Sequence, residues 1–105
     1  MRVLLTGHAG YIGAVMIPVL HGEGHEIIGL DSMLFDGCDL LDVERPDRLI
    51  TRDLRDVTAD DLTDVDAVVH LGALSNDPLG DLNPNVTYDI NRDASIHLAG
   101  LAKAA

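Results

Sequence analysis

Three glycines recur at three-residue spacing near the start of the chain, in the run TGHAGYIG at Thr6 to Gly13. The run follows a short apolar stretch, Val3 to Leu5, and opens a segment whose apolar residues recur every three or four positions. A glycine turn between a strand and a helix presents free N–H groups at the helix N-terminus, which is the chemistry of pyrophosphate binding. We expect Gly7 to make the tight turn, Gly10 to let backbone approach the anion and Gly13 to pack helix on strand. A glycine-rich turn without a ligand is the alternative.

An acidic residue stands where a second strand is predicted to end. Asp31 follows the run Glu26 to Leu30 and lies 18 residues after Gly13. A carboxylate in that place accepts hydrogen bonds from both ribose hydroxyls of an adenosine and repels a 2′-phosphate. No arginine follows in the next few residues to receive such a phosphate. The sequence therefore favours NAD over NADP, and an ordinary loop acid is the alternative.

The elements that must position these residues alternate between strand and helix. Strands are predicted at Val3–Leu5, 26–30, Leu49–Arg52 and Ala67–Leu71. A helix opens at the glycine run and ends near Gly22 and Gly24, and a short helical turn covers Thr58 to Leu62. We predict surface loops over residues 32–48 and 75–86, and a last helix from Thr87 to the end. The β-α-β rhythm implies a parallel sheet.

Composition excludes several classes of protein. The 105 residues make one domain at most, and a net charge of −11 repels nucleic acid and anionic membranes. No apolar run approaches the roughly 20 residues of a membrane helix. One cysteine, Cys38, cannot form an internal disulfide, and the start MRVLLTG lacks the features of a signal peptide. We therefore expect a cytoplasmic chain.

Four ordered stretches carry a resemblance to a known family. They are TGHAGYIG, Asp31 at the strand end, RDLRD at Arg52 to Asp56, and VDAVVHLGALS at Val65 to Ser75 followed by YDIN at Tyr88 to Asn91. Together they make the chain resemble the N-terminal part of an extended short-chain dehydrogenase/reductase, in the NAD-dependent nucleotide-sugar epimerase and dehydratase branch. The resemblance implies an α/β fold with a Rossmann-type doubly wound parallel sheet, truncated, of strand order 3-2-1-4. Residues 1–105 would form its NAD-binding portion, without the fifth strand and the substrate domain.

The resemblance also implies which residues hold NAD. Tyr11 and Ile12 would present backbone N–H groups to the pyrophosphate. Asp31 and Ser32 would hold the adenosine ribose, and Asp53 would meet the adenine amino group.

The remaining cofactor positions follow from the same resemblance. Leu54 would pack on the adenine ring, and Asn91 matches a helix asparagine near the cofactor. The segment after the fourth strand would line the ribose and phosphates, which falls on Leu71, Gly72, Ala73, Leu74 and Ser75. The family commonly has alanine at the position of Gly72, and some epimerases carry lysine at that of Ser75, so the substrate type stays open.

The family's catalytic serine or threonine and its Tyr-x-x-x-Lys pair have no match in residues 1–105. We therefore assign no catalytic residue and expect the chain alone to bind NAD weakly, if at all, and to turn over nothing. The full-length parent would act on a nucleotide sugar by transient hydride transfer. A non-catalytic dinucleotide-binding module and another NAD-dependent reductase are the alternatives. The fourth strand would expose an unpaired edge, which predicts that the isolated chain forms a homodimer or aggregates.

The histidines carry weaker signals. His8 lies in the glycine run and could touch phosphate, and His70 is predicted to be a core histidine with one backbone partner. His21 and His25 are four residues apart, but the glycines between them argue against a shared metal. No metal site is predicted.

Overall fold

The computed structural model describes residues 1–105 and contains one sheet of four parallel strands. The strands are β1 (Arg2–Thr6), β2 (Glu26–Asp31), β3 (Arg48–Thr51) and β4 (Ala67–His70). Their order across the sheet is β3-β2-β1-β4. Val3 of the central β1 is in register with Ile27 on one side and Ala67 on the other. The Rossmann-type sheet and its strand order are confirmed.

Helices and short helical turns connect the strands. The helices are α1 (Tyr11–Gly22), α2 (Asp77–Asp81), α3 (Pro84–Tyr88) and α4 (Ala94–Ala104). Two 3₁₀ turns cover Leu54–Asp56 and Ala59–Leu62, and a π turn covers Asp89–Asp93. No helix combines the length and the apolar character that crossing a membrane requires.

The core lies on both faces of the sheet. Successive strand residues point to opposite faces, so Leu4 and Leu5 of β1 belong to different apolar clusters. The cluster of Leu4 includes Leu98 of α4, and the cluster of Leu5 includes Ile17 of α1. The sheet is therefore covered by α1 on one face and by α4 with the 3₁₀ turns on the other.

The predicted loop over residues 75–86 is wrong, because α2 and most of α3 lie there. The Asn76 side chain accepts the N–H of Leu79 at 3.2 Å, and the Asn83 side chain accepts that of Val86 at 3.4 Å. Each asparagine thus caps a helix, and a proline follows it in the first turn, where a missing N–H costs nothing. Asparagine followed by proline is typical of turns and of helix starts alike.

The predicted last helix forms, but it starts earlier than predicted and is not α-helical throughout. The helical path begins at Pro84, before Thr87, and the π turn at Asp89–Asp93 separates α3 from α4. Such π turns occur mostly as single insertions in helices and frequently at functional sites.

Candidate functional site

A groove runs along the carboxyl ends of the strands, where parallel sheets bind ligands. Its cavity of about 410 Å³ is within the range of small-molecule sites. The structure brings together here every residue predicted to bind the cofactor except Asn91: Gly7, Gly10, Tyr11, Ile12, Gly13, Asp31, Ser32, Asp53, Leu54, Leu71, Gly72, Ala73, Leu74 and Ser75. Residues from four separate stretches of sequence thus line one cavity.

The glycine run forms a tight connection from β1 into α1. Gly7 has a φ of 71°, a left-handed conformation that glycine adopts without strain. A Cβ on Gly13 would collide with the carbonyl oxygen of Gly7 and lie 2.6 Å from that of His8. The absence of side chains at these positions lets the helix start directly against the strand end.

The start of α1 offers free hydrogen-bond donors to the groove. The N-cap residue Gly10 has no side chain to cap the helix, and the first turn contains no acidic residue. The N–H groups of Tyr11 and Ile12 have no acceptor within the helix, as at any helix start. Partial positive charge at this end therefore faces the groove, and no acidic side chain of the first turn offsets it, which suits an anion.

Asp31 lies at the end of β2, and two backbone groups fix its carboxylate. Its Oδ2 accepts the N–H of Ala9 at 3.2 Å, and its Oδ1 accepts the N–H of Met33 at 2.8 Å. The carboxylate thereby ties β2 to the glycine run. A carboxylate oxygen has two lone pairs, so each oxygen keeps one for a ligand hydroxyl. Ser32 is exposed beside it.

Asp53 and Leu54 form the floor of the groove beyond β3. Arg55 donates to both carboxylate oxygens of Asp53, with Nη2 at 2.8 Å from Oδ2. This side-chain pairing holds the pKa of Asp53 below its ordinary value, so the group is ionised near neutral pH. Asp53 also caps the first 3₁₀ turn, because it accepts the N–H of Arg55. Leu54 is 7% exposed and packs in the core on the α4 side of the sheet.

The segment after β4 forms the opposite wall and is held in place by Asn91. The Leu74 N–H donates to Asn91 Oδ1 at 2.8 Å, and Asn91 Nδ2 donates to the Leu74 carbonyl at 2.9 Å. Asn91 therefore does not line the groove but fixes a residue that does.

Seven further residues that were not predicted to bind the cofactor also line the groove: Thr6, Ala9, Leu30, Leu34, Phe35, Arg52 and Ile90. Thr6 and Ala9 lie within or beside the glycine run, so its flanks could have identified them. Leu34 and Phe35 come from the loop after β2, where no periodicity marks a buried face. Only the folded chain places them at the site.

Two histidines depart from their predicted roles. His8 is 5% exposed and stacks on Gly29 of β2, away from the groove, and its Nδ1 has no hydrogen-bond partner. Burial lowers the pKa of His8, so the ring is neutral. The prediction for His70 is wrong in two respects. The residue is exposed at the end of β4 instead of lying in the core, and both ring nitrogens contact side-chain hydroxyls, of Thr6 and Ser95, instead of a backbone group.

The remaining titratable groups assemble no metal site. No cluster of three or more histidine, cysteine, aspartate or glutamate side chains is arranged to hold an ion. His21 instead contacts two carboxylates, those of Glu44 and Asp47. Cys38 is exposed and free.

Comparison with known proteins gives one family for nearly the whole chain. The sequence profile described as "Epimerase: NAD dependent epimerase/dehydratase family" matches residues 3–105. The UDP-glucose 4-epimerase of Mycolicibacterium smegmatis is 29% identical over 98% of this chain and 37% of that protein. UDP-glucuronic acid decarboxylase 5 of Arabidopsis thaliana is 30% identical over 98% of this chain and 30% of that protein. The chain thus spans about a third of the length of these relatives.

Solved structures show the same fold. An NAD dependent NDP-hexosamine 5,6-dehydratase of tunicamycin biosynthesis superposes with a TM-score of 0.84 at 28% identity, over 99% of this chain and 34% of that one. The UDP-glucose-4-epimerase of Stenotrophomonas maltophila, solved with bound NAD and formylated UDP-arabinopyranose, gives 0.81 at 27% identity, over 98% of this chain and 33% of that one.

Proposed function

Because the chain belongs to the NAD dependent epimerase/dehydratase family, we propose that it forms the NAD-binding portion of a nucleotide-sugar epimerase or dehydratase. One observation carries the proposal: the free N–H groups at the start of α1 and the carboxylate of Asp31 line the same groove. The first suits a pyrophosphate and the second an adenosine ribose.

The phosphate end of the site rests on the glycine run. Tyr11 and Ile12 would donate their backbone N–H groups to pyrophosphate oxygens. Gly10 leaves the space in front of these N–H groups open to the anion. A Cβ added there would have only one neighbour within 4 Å, the Gly7 carbonyl oxygen at 3.3 Å. The exposed Tyr11 side chain leaves this backbone free.

The ribose end rests on Asp31. Its two oxygens, each with one backbone donor, would accept the two ribose hydroxyls. A 2′-phosphate would bring a second anion against the carboxylate, which disfavours NADP. Ser32 lies beside this position, and Asp53 and Leu54 lie further along the groove, where the adenine would be bound.

The nicotinamide of bound NAD accepts and returns a hydride, which is the chemistry of transient sugar oxidation. Residues Leu71 to Ser75 would border its ribose and phosphates. The relatives include UDP-glucose 4-epimerases and UDP-glucuronic acid decarboxylases, which supports a nucleotide sugar as the substrate of the whole protein. We further propose that the 105-residue chain alone turns over no substrate.

A titration with NAD and NADP, followed by NMR of the backbone amides, tests the proposal. We expect NAD to bind at least about tenfold more tightly than NADP, because the 2′-phosphate removes a hydrogen bond to the charged Asp31. The Asp31→Asn variant should bind the two dinucleotides with more nearly equal affinity. The Asp42→Asn variant is the matched control, because it removes the same charge from an exposed residue of the loop after β2. Equal binding of the two dinucleotides by the wild type would contradict the assignment of Asp31.

A further inference from the structure

His70 stands at the end of β4, between two hydroxyl groups that belong to different elements. Its Nδ1 lies 2.6 Å from Thr6 Oγ1 at the end of β1, and its Nε2 lies 2.8 Å from Ser95 Oγ in α4. These partners are 64 and 25 residues away in the sequence. The imidazole therefore joins the centre of the sheet to the last helix.

The hydrogen bonds around Thr6 determine which ring nitrogen carries the proton. Thr6 is fully buried, and its Oγ1 accepts the N–H of Gly72 at 3.2 Å. The buried O–H itself needs an acceptor, and His70 Nδ1 is the one group within hydrogen-bond distance that can accept its proton. Nδ1 is consequently an acceptor without a proton. The neutral ring carries its proton on Nε2 and donates it to Ser95 Oγ.

The chain of donors continues from Ser95 to the groove. The Ser95 hydroxyl donates to the Asn91 carbonyl at 2.9 Å, inside the π turn. The Asn91 side chain then binds the backbone of Leu74 through both its oxygen and its nitrogen. Each donor in this series has one acceptor, from the Thr6 hydroxyl to the Leu74 carbonyl.

Both ends of the series reach the groove wall. Thr6, Gly72 and Leu74 line the cavity, whereas His70, Ser95 and Asn91 do not. Gly72 and Leu74 belong to the segment that faces the glycine run. The hydrogen bonds therefore set the position of one wall against the other.

We propose that His70 is a positioning residue, held as the neutral tautomer protonated on Nε2, which fixes the Leu71–Ser75 wall of the dinucleotide groove through Thr6 at one end and Ser95 and Asn91 at the other. The proposal rests on the proposed function for the identity of the ligand, but the tautomer and the hydrogen bonds do not depend on it. Partial desolvation lowers the pKa of His70, in keeping with a neutral ring.

The first test determines which ring nitrogen of His70 carries the proton. Nitrogen NMR of the 105-residue chain should show His70 Nδ1 with the shift of an unprotonated nitrogen and Nε2 with that of a protonated one. In the His70→Leu variant, the amides of Gly72 and Leu74 should exchange with solvent faster relative to those of β1. A protonated Nδ1 in the neutral ring, or unchanged relative exchange at both amides, would overturn the proposal.

The second test measures NAD affinity in a double-mutant cycle. His70→Leu and Ser95→Ala should each weaken NAD binding about tenfold, and the double variant should bind no more weakly than the weaker single variant, because both break one series of hydrogen bonds. Effects that multiply in the double variant would mean that the two residues act separately, which contradicts the proposal.

His97→Leu is the matched control. His97 also lies in α4 and its Nε2 contacts the Val57 carbonyl at 2.9 Å, but it neither lines the groove nor bonds to a member of the hydrogen-bond series. This variant should lose stability and keep its NAD affinity. A wild-type chain that does not bind NAD would refute the proposed function, and the ring nitrogens and amide exchange would still decide the role of His70.

Discussion

The Gly7→Ala variant tests the packing of the glycine run against the opposite groove wall. A Cβ on Gly7 would lie 2.7 Å from the Gly72 nitrogen and 2.9 Å from both the Gly72 Cα and the Leu71 carbonyl carbon. All three are backbone atoms, so no side-chain rotation relieves the overlap. The φ of 71° adds a left-handed conformation that alanine adopts at a cost.

The steric overlap and the left-handed conformation together determine how much folding free energy the Gly7→Ala variant loses. A left-handed alanine costs about 1–2 kcal/mol, and overpacking against backbone costs about 1–3 kcal/mol. Their sum, about 2–5 kcal/mol, is a large part of the roughly 5–15 kcal/mol that stabilises a domain of this size. At about 4–8 °C per kcal/mol, the thermal midpoint should fall by at least about 8 °C.

Gly72→Ala is the control on the other side of the same contact. A Cβ there would meet Thr6 Oγ1 at 3.3 Å, the Gly7 nitrogen at 3.5 Å and Leu54 Cδ2 at 3.6 Å, which are tight or ordinary contacts. We expect the free energy of unfolding to change by less than about 1 kcal/mol. Urea unfolding followed by far-UV circular dichroism compares the variants. A Gly7→Ala variant as stable as Gly72→Ala would refute the reasoning.

Three further predictions concern the rest of the chain. Gly29→Ala should destabilise the fold by about 1–3 kcal/mol in urea unfolding, since a Cβ would lie 2.7 Å from His8 Cγ; a neutral substitution would contradict the observed stacking. Contacts with Glu44 and Asp47 raise the pKa of His21. The contribution of these contacts to the stability of the fold is therefore complete below the ordinary histidine pKa and is lost as pH rises through the raised pKa. The thermal midpoint of the wild type should therefore fall more over this pH range than that of His21→Gln, and parallel profiles would contradict this. The unpaired edge of β4 should make the chain self-associate at about 100 μM, and a clean monomer by light scattering would count against a homodimer.

The sheet could be predicted because its signals are local. Val3 to Leu5 and Ala67 to Leu71 are short apolar runs bounded by glycine, and the glycine run follows the first of them directly. The residues that follow such strands meet at one edge of a parallel sheet, which brought the predicted cofactor residues into one groove.

The rest depends on contacts that sequence patterns do not encode. Asn76 and Asn83 gave the same local signal for a turn and for a helix cap, and the cap formed in both places. Phe35 reaches the groove from a loop without periodicity. The partners of His70 lie far away in sequence, so neither its tautomer nor its link to α4 could be read from its apolar neighbours.

An NMR titration of the chain with NAD, which maps the backbone amides whose signals shift, tests most directly whether the groove binds the dinucleotide. We expect saturable shifts at Tyr11 and Ile12, at Asp31 and at Leu74, even if the dissociation constant is as weak as about 1 mM. Shifts confined to amides outside the groove, or none up to several times that concentration, would contradict this expectation.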